Sequence, residues 1–232
     1  MGKIVAVGGG ELRRGETAPL DRLIGCMAGR APRLLFLPTA SGDAPAYIET
    51  VKTAYGALGC ETDALCLFTG APTDAEVRRK VAWADAVYVG GGDTEKMMVQ
   101  WRLRGVDALL ADAYRRGAVM AGISAGAICW FEFGPGKDSG GSLWDFARVY
   151  GLGLIPAACC PHYSAGGNEE FDRMIEGQVL PGIALGDKTA FVEEDGAYRI
   201  VKADPDAEAF LIYTLRGELV KRSVEDGKAL EL

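Results

Sequence analysis

Residues 118–127 read Ala-Val-Met-Ala-Gly-Ile-Ser-Ala-Gly-Ala. Ala118 to Ile123 is an apolar run with no polar alternation, short enough to be a strand and apolar enough to be covered on both faces of a sheet. It ends in Gly122-Ile123-Ser124-Ala125-Gly126, and a helical stretch is expected over Ala127 to Phe131. A chain that turns sharply from strand to helix needs neighbours without bulk, and here Gly, Ala and Gly surround one serine. This is the context of a G-x-S-x-G nucleophile elbow, which lifts the serine hydroxyl off the carboxyl end of a sheet toward a helix N-terminus. The pentapeptide alone equally fits a glycine-rich strand end packed against a helix.

Outward from that strand, apolar runs alternate with helical patterns, the signature of β-α-β units. Lys3 to Val7 reads as a first strand ending in Gly8-Gly9-Gly10, a backbone turn, and Leu20, Leu23, Ile24 and Met27 share one helix face after it. Arg33 to Pro38, Asp63 to Phe68 and Ala86 to Val89 are further strands, with a helix carrying Ile48, Val51, Tyr55 and Leu58 inward between the first two. Thr73 and Glu76 form a capping box. Helices are expected through Met97, Met98 and Trp101 and over Val106 to Arg116, strands at Gly153 to Cys159 and Gly182 to Leu185, and antiparallel edge hairpins from Ala190 onward. The expected fold is therefore a three-layer α/β/α sandwich, with a mostly parallel central sheet and antiparallel C-terminal edge strands. No linker or repeat marks a boundary, so residues 1–232 are expected to form a single domain.

Composition narrows the function. Lys+Arg 25 against Asp+Glu 32 gives −7 with no basic stripe, which argues against nucleic acid or an anionic membrane surface as partner. Gly117 to Phe131 and Val149 to Asn168 lack charged residues, but glycines interrupt the first and Pro156, Pro161 and His162 the second, so neither reads as a membrane span. The N-terminus reads as a strand and not as a signal peptide, and a cytoplasmic location is expected. Six cysteines without C-x-x-C spacing read as reduced packing residues. Trp130, Phe131, Phe133, Trp144 and Phe146 read as core.

A serine at its ordinary pKa needs a general base. The chain has one histidine, His162, just after a predicted strand end and hence expected on the same sheet rim as Ser124. A carboxylate should hold its imidazole in the productive tautomer. Asp187, in Leu185-Gly186-Asp187-Lys188-Thr189, is one candidate; Glu193, Glu194, Asp195, Asp138 and Asp145 are others. A second triple glycine, Gly90 to Gly92, ends the strand before the elbow strand, where its amides can converge with that of Ala125 on a developing oxyanion. Neither triple glycine continues into a phosphate-binding motif.

Gly-Ile-Ser-Ala-Gly-Ala at 122–127, Gly-Gly-Gly-Asp-Thr at 90–94, Pro-Thr-Ala-Ser at 38–41 and Pro-His at 161–162 together resemble the S51 serine peptidases, the peptidase E and cyanophycinase group. The resemblance runs from the first strand to about Val192. It implies a fold related to class I glutamine amidotransferases, Ser124 as nucleophile, His162 as base, and Gly92 and Ala125 as oxyanion donors. The family acid precedes a Thr-Ala or similar pair, which matches Asp187 ahead of Thr189-Ala190, although glutamate is common there and aspartate is one methylene shorter. In peptidase E an arginine after the histidine pairs with the substrate's aspartate; here residues 164–170 hold none, so strict Asp-X specificity is not expected. Asn168 and Glu169 are the substrate-binding candidates in that segment, and Glu169 and Glu170 also suit a helix start.

The expectation is a serine peptidase acting on short peptides, of dipeptidase or exopeptidase type, with no cofactor and no metal. Within the group, cyanophycinase-like cleavage of a β-aspartyl-arginine polymer is the alternative, and a catalytically inactive binding module of the same fold is another. An amidotransferase is disfavoured because the elbow holds serine, with Cys129 five residues on. The number of subunits stays open, a homodimer or higher homo-oligomer included.

Overall fold

The computed structural model describes residues 2–136, 148–164 and 168–232. An eight-stranded sheet has the order β14-β11-β10-β1-β5-β4-β2-β3. Its strands are β1 (Lys3–Val7), β2 (Arg33–Leu37), β3 (Glu61–Ala64), β4 (Ala86–Val89), β5 (Val119–Ile123), β10 (Thr189–Glu194), β11 (Ala197–Lys202) and β14 (Ala229–Leu230). The first five are mutually parallel, and β10 joins β1 antiparallel with Val7 opposite Ala190. Strand β5 lies between β1 and β4 and is buried along its whole length, as its unbroken apolar run requires.

Helices cover both faces. Helices α1 (Ala18–Ala28) and α2 (Pro45–Ala57) pack Leu20, Ile24, Val51 and Tyr55 against Val5, Val7, Ala121 and Ile123. On the other face, α3 (Asp74–Trp83), α4 (Thr94–Arg104) and α5 (Val106–Arg115) contribute Val77, Met97, Trp101 and Leu110, which pack with Ile4, Ala6 and Met120. The alternation of Val5 and Val7 with Ile4 and Ala6 between the two cores is the period-two consequence of the pleat. The Thr73–Glu76 capping box forms at the start of α3 as the sequence predicts.

A second sheet, of order β13-β12-β9-β8-β6-β7, was not foreseen. It comprises β6 (Phe131–Pro135), β7 (Arg148–Tyr150), β8 (Ile155–Cys160), β9 (Gly182–Leu185), β12 (Ala209–Leu215) and β13 (Glu218–Ser223). The expected strands near 153–159 and 182–185 therefore exist but leave the central sheet, and only part of the C-terminal hairpin region edges it. Alternation explains why two layers form. Ala157 and Cys159 face the core beneath the central sheet, whereas Ala158 and Cys160 face a third core with Phe171 and Ile175 of α7 (Glu169–Ile175). A strand apolar on both faces is satisfied only by being sandwiched.

Other differences are local. The elbow helix α6 is a single turn, Ala125–Ile128, and Phe131 starts a strand instead of ending a helix. Strand β3 ends at Ala64, because the buried Asp43 carboxylate draws the Phe68 and Thr69 amides into a loop at 2.6 and 2.9 Å. Leu58, assigned to the inner face of α2, is exposed, since the helix has ended at Ala57. Trp130, Phe131 and Phe133 are core as expected, while Trp144 and Phe146 lie outside the described residues. No helix among the described residues is long and apolar enough to cross a membrane.

Candidate active site

The segments that carry Ser124, His162 and Asp187 are all tied to the end of β1. Three consecutive carbonyls do this: Val7 O accepts the Ser124 amide at 3.0 Å, Gly8 O the His162 amide at 3.0 Å, and Gly9 O the Lys188 amide at 2.9 Å. The Gly8 amide in turn donates to Thr189 O at 2.8 Å. Histidine 162 therefore reaches the rim by a different route from the one expected. Its strand, β8, belongs to the second sheet, and the turn at Pro161 brings it back onto β1.

The elbow geometry follows from crowding. Ser124 has φ 58° and ψ −117°, a conformation that costs a non-glycine residue roughly 1–3 kcal/mol. A β-carbon on Gly122 would overlap Gly126 O, and one on Gly126 would overlap Val89 O, so neither neighbour tolerates a side chain. His162 and Lys188 also have positive φ, 52° and 64°. Three left-handed residues in one small site are held there by the surrounding sheet ends.

Ser124 Oγ lies 2.9 Å from His162 Nε2, and His162 Nδ1 lies 2.7 Å from Asp187 Oδ1. A carboxylate only accepts, so Nδ1 carries the proton that faces Asp187, and Nε2 is left with the lone pair that accepts the Ser124 hydroxyl. The shorter aspartate thus reaches the ring. Its turn is pinned by the buried Thr189 hydroxyl, which donates to Gly186 O at 2.8 Å. The His162 and Asp187 side chains are 53% and 58% exposed, leaving the chain of groups accessible to a substrate and to water.

The rival carboxylates are elsewhere. Glu193 and Glu194 stand at the far end of β10, opposite Ile4 and Lys3, about 10 and 13 Å along the strand from Ala190 at roughly 3.3 Å per residue. Glu193 is buried and accepts from Tyr114 Oη, and Glu194 pairs with Lys3 and Arg199. Asp195 follows them in the turn to β11. Asp138 and Asp145 lie outside the described residues.

Among the described residues the Gly92 and Ala125 amides have no acceptor, whereas the Gly91 amide donates to Tyr47 Oη at 3.2 Å. Gly92 has φ 143°, and a β-carbon there would overlap Ala40 O of the Pro38–Ser41 segment, so this position admits only glycine. Asn168 and Glu169 are engaged locally. Asn168 Oδ1 accepts the Ser164 amide at 2.8 Å, and Glu169 pairs with Arg173 one helical turn on at 3.1 Å. All six cysteines are free, and burial raises the Cys129 and Cys159 thiols well above their usual range, which keeps them protonated.

Gly8-Gly9-Gly10, expected as a backbone turn, is also part of the site. A β-carbon on Gly9 would meet both His162 and Asp187, and one on Gly8 the carbonyls of Leu185 and Gly186. The signal was present in the repetition of a strand ending in three glycines.

This fold, with a serine, a histidine and a carboxylate gathered at the ends of its strands, is that of a peptidase: the sequence matches the Peptidase family S51 profile over residues 4–201, and the chain belongs to that family. It is 35% identical over 228 residues to the uncharacterized peptidase YgaJ of Bacillus subtilis (strain 168), covering 95% of this chain and 96% of that one. Two solved structures share the fold at 20% identity. A peptidase from an acI-B1 Actinobacterium gives a TM-score of 0.79, covering 100% of this chain and 97% of that chain. A putative peptidase E from Listeria monocytogenes EGD-e gives 0.67, covering 87% and 98%.

Proposed function

We propose that this peptidase is of the serine type and hydrolyses short peptides through an acyl-enzyme on Ser124. The observation that carries the reading is the continuous hydrogen-bonded chain Ser124–His162–Asp187, at 2.9 and 2.7 Å. His162 Nε2 takes the Ser124 proton as Oγ bonds to the scissile carbonyl carbon, and the carbonyl electron pair moves onto oxygen. The Gly92 and Ala125 amides, which have no acceptor of their own among the described residues, are the donors for that oxyanion. The imidazolium, stabilised by Asp187, then protonates the leaving amine as the C–N bond breaks. A water molecule, deprotonated by His162, attacks the ester carbonyl and releases the acid and the free serine.

The test is hydrolysis of a dipeptide library by the purified chain, together with labelling by a serine-reactive phosphonate located by mass spectrometry. Ser124→Ala and His162→Ala should each abolish hydrolysis and labelling while the thermal melt stays within a few degrees. Hydrolysis that persists in Ser124→Ala overturns the reading. Release of Asp-Arg from a β-aspartyl-arginine polymer, with no dipeptide cleaved, would move the substrate class while leaving the chemistry.

A further inference from the structure

A cleft of about 290 Å³ opens beside the triad, its wall including Gly10, Glu11, Arg13, Tyr47, Thr50 and Ile123. Its size is near the lower end for small-molecule sites, about 300 Å³, which suits one or two amino-acid residues. Three of its lining residues connect it to the reacting groups. Ile123 precedes Ser124, and Gly10 follows the Gly9 that lies against His162 and Asp187. Tyr47 Oη holds the Gly91 amide, and Gly91 itself lies against Ser124, a β-carbon there standing 3.2 Å from Ser124 Cβ.

Arg13 is fixed in this wall without a counter-charge. Its Nε donates to Thr50 Oγ1 at 2.8 Å and its Nη2 to Ala46 O at 3.2 Å, both neutral acceptors. Among the described residues no carboxylate pairs with it. The Glu11 carboxylate is turned to its own backbone, where Oε1 accepts the Arg13 amide at 3.2 Å as the cap of the 3-10 turn Leu12–Arg14. A guanidinium oriented by two bonds and left with unused N–H groups is built to take an anion, and its planar fork matches a carboxylate.

We propose that this cleft is the substrate pocket and that Arg13 binds a carboxylate of the peptide, carried by its C-terminus or by an acidic side chain. The proposal rests on Ser124 as the nucleophile. It locates the cationic recognition group in the segment after β1.

The experiment uses Ser124→Ala protein, which binds without turnover, and isothermal titration with two pairs of probes: Ala-Ala against its C-terminal amide, and Asp-Ala amide against Asn-Ala amide. One acid should bind about tenfold more tightly than its uncharged partner, the loss expected when charged hydrogen bonds are removed. Preference in the first pair identifies the chain terminus, and in the second the side chain. Arg13→Met on the same background should erase the preference, and Arg13→Lys should restore part of it. A preference that survives Arg13→Met, or no preference in either pair, overturns the proposal. Phosphonate labelling of protein with Ser124 intact is scored separately: Arg13-dependent binding without labelling defeats the nucleophile and spares the pocket, and the converse defeats only the pocket.

Discussion

A β-carbon placed on Gly9 would overlap Asp187 Oδ1, and it would stand 2.5 Å from His162 Nδ1. The end of β1 thus acts as the template on which the imidazole and its carboxylate are set, because the backbone that anchors both segments passes directly beneath their side chains. Gly9→Ala must displace one of the two. A displacement near 1 Å in a catalytic group costs on the order of 10²-fold, so kcat/KM should fall by at least about that much. The displaced groups are surface-exposed, so the melting temperature should move little. Full activity in Gly9→Ala would show that the site does not depend on this packing.

Asp187 is assigned the task of fixing the tautomer of His162, and asparagine separates that task from bulk and position. In Asp187→Asn the side chain can offer an N–H toward Nδ1, which turns the proton of the neutral ring to Nε2, where it opposes the Ser124 hydroxyl. Losses of about 10⁴ in kcat follow in comparable triads. Here kcat should drop by roughly 10³ to 10⁴ with KM nearly unchanged, and Asp187→Glu should recover part of it. A drop under tenfold in Asp187→Asn would remove Asp187 from the mechanism.

Asp21 makes stability depend on pH. It lies on α1, buried and bonded across to Tyr55 of α2, where desolvation raises its pKa above the ordinary carboxylate value, although the Thr17 and Tyr55 hydroxyls donate to it at 2.8 and 2.9 Å. A raised pKa in the folded state means that the native protein binds this proton more tightly than the unfolded chain. The contribution is therefore fully present below the unfolded value, about 3.9, and is lost as pH rises through the raised native value. Asp21→Asn removes that dependence. The melting temperature of the variant minus that of the unsubstituted protein should be more positive at pH 7 than at pH 4.5, other groups cancelling in the difference. A difference that does not change with pH would mean that Asp21 is not desolvated.

The site was more legible in the sequence than the architecture around it. Ser124 and His162 stand out by residue type next to a strand end, Asp187 is one of several carboxylates until the S51 resemblance singles it out, and the three segments do converge. The central parallel strands were readable because apolar runs such as Ala86 to Val89 have no other stable home. The second sheet was not, because pairing partners are set by contacts far apart in sequence: nothing in Ile155–Cys160 says that it lies beside Gly182–Leu185 and not beside β1. Arg13 was invisible for the same reason, since its partners Ala46 and Thr50 lie on α2, more than thirty residues away. Glycine counts showed where the chain turns tightly, and only the fold showed what Gly9 makes room for.

Thr39 tests the support under the proposed oxyanion loop. Its buried hydroxyl accepts the indole N–H of Trp101 at 3.1 Å, and both residues are fully buried. The next residue, Ala40, accepts the Asp93 amide through its carbonyl at 2.8 Å and lies directly against Gly92. Thr39→Val keeps the shape and removes the acceptor, leaving a buried indole N–H without a partner at a cost of about 1–3 kcal/mol. Thr39→Ser keeps the acceptor and loses one methyl, about 0.8 kcal/mol. Urea unfolding should rank the valine variant below the serine variant with similar m values. Because Ala40 bears on Gly92, the valine variant should also lose kcat with little change in KM. A valine variant as stable as the serine one would show that the Trp101–Thr39 bond does not hold this loop.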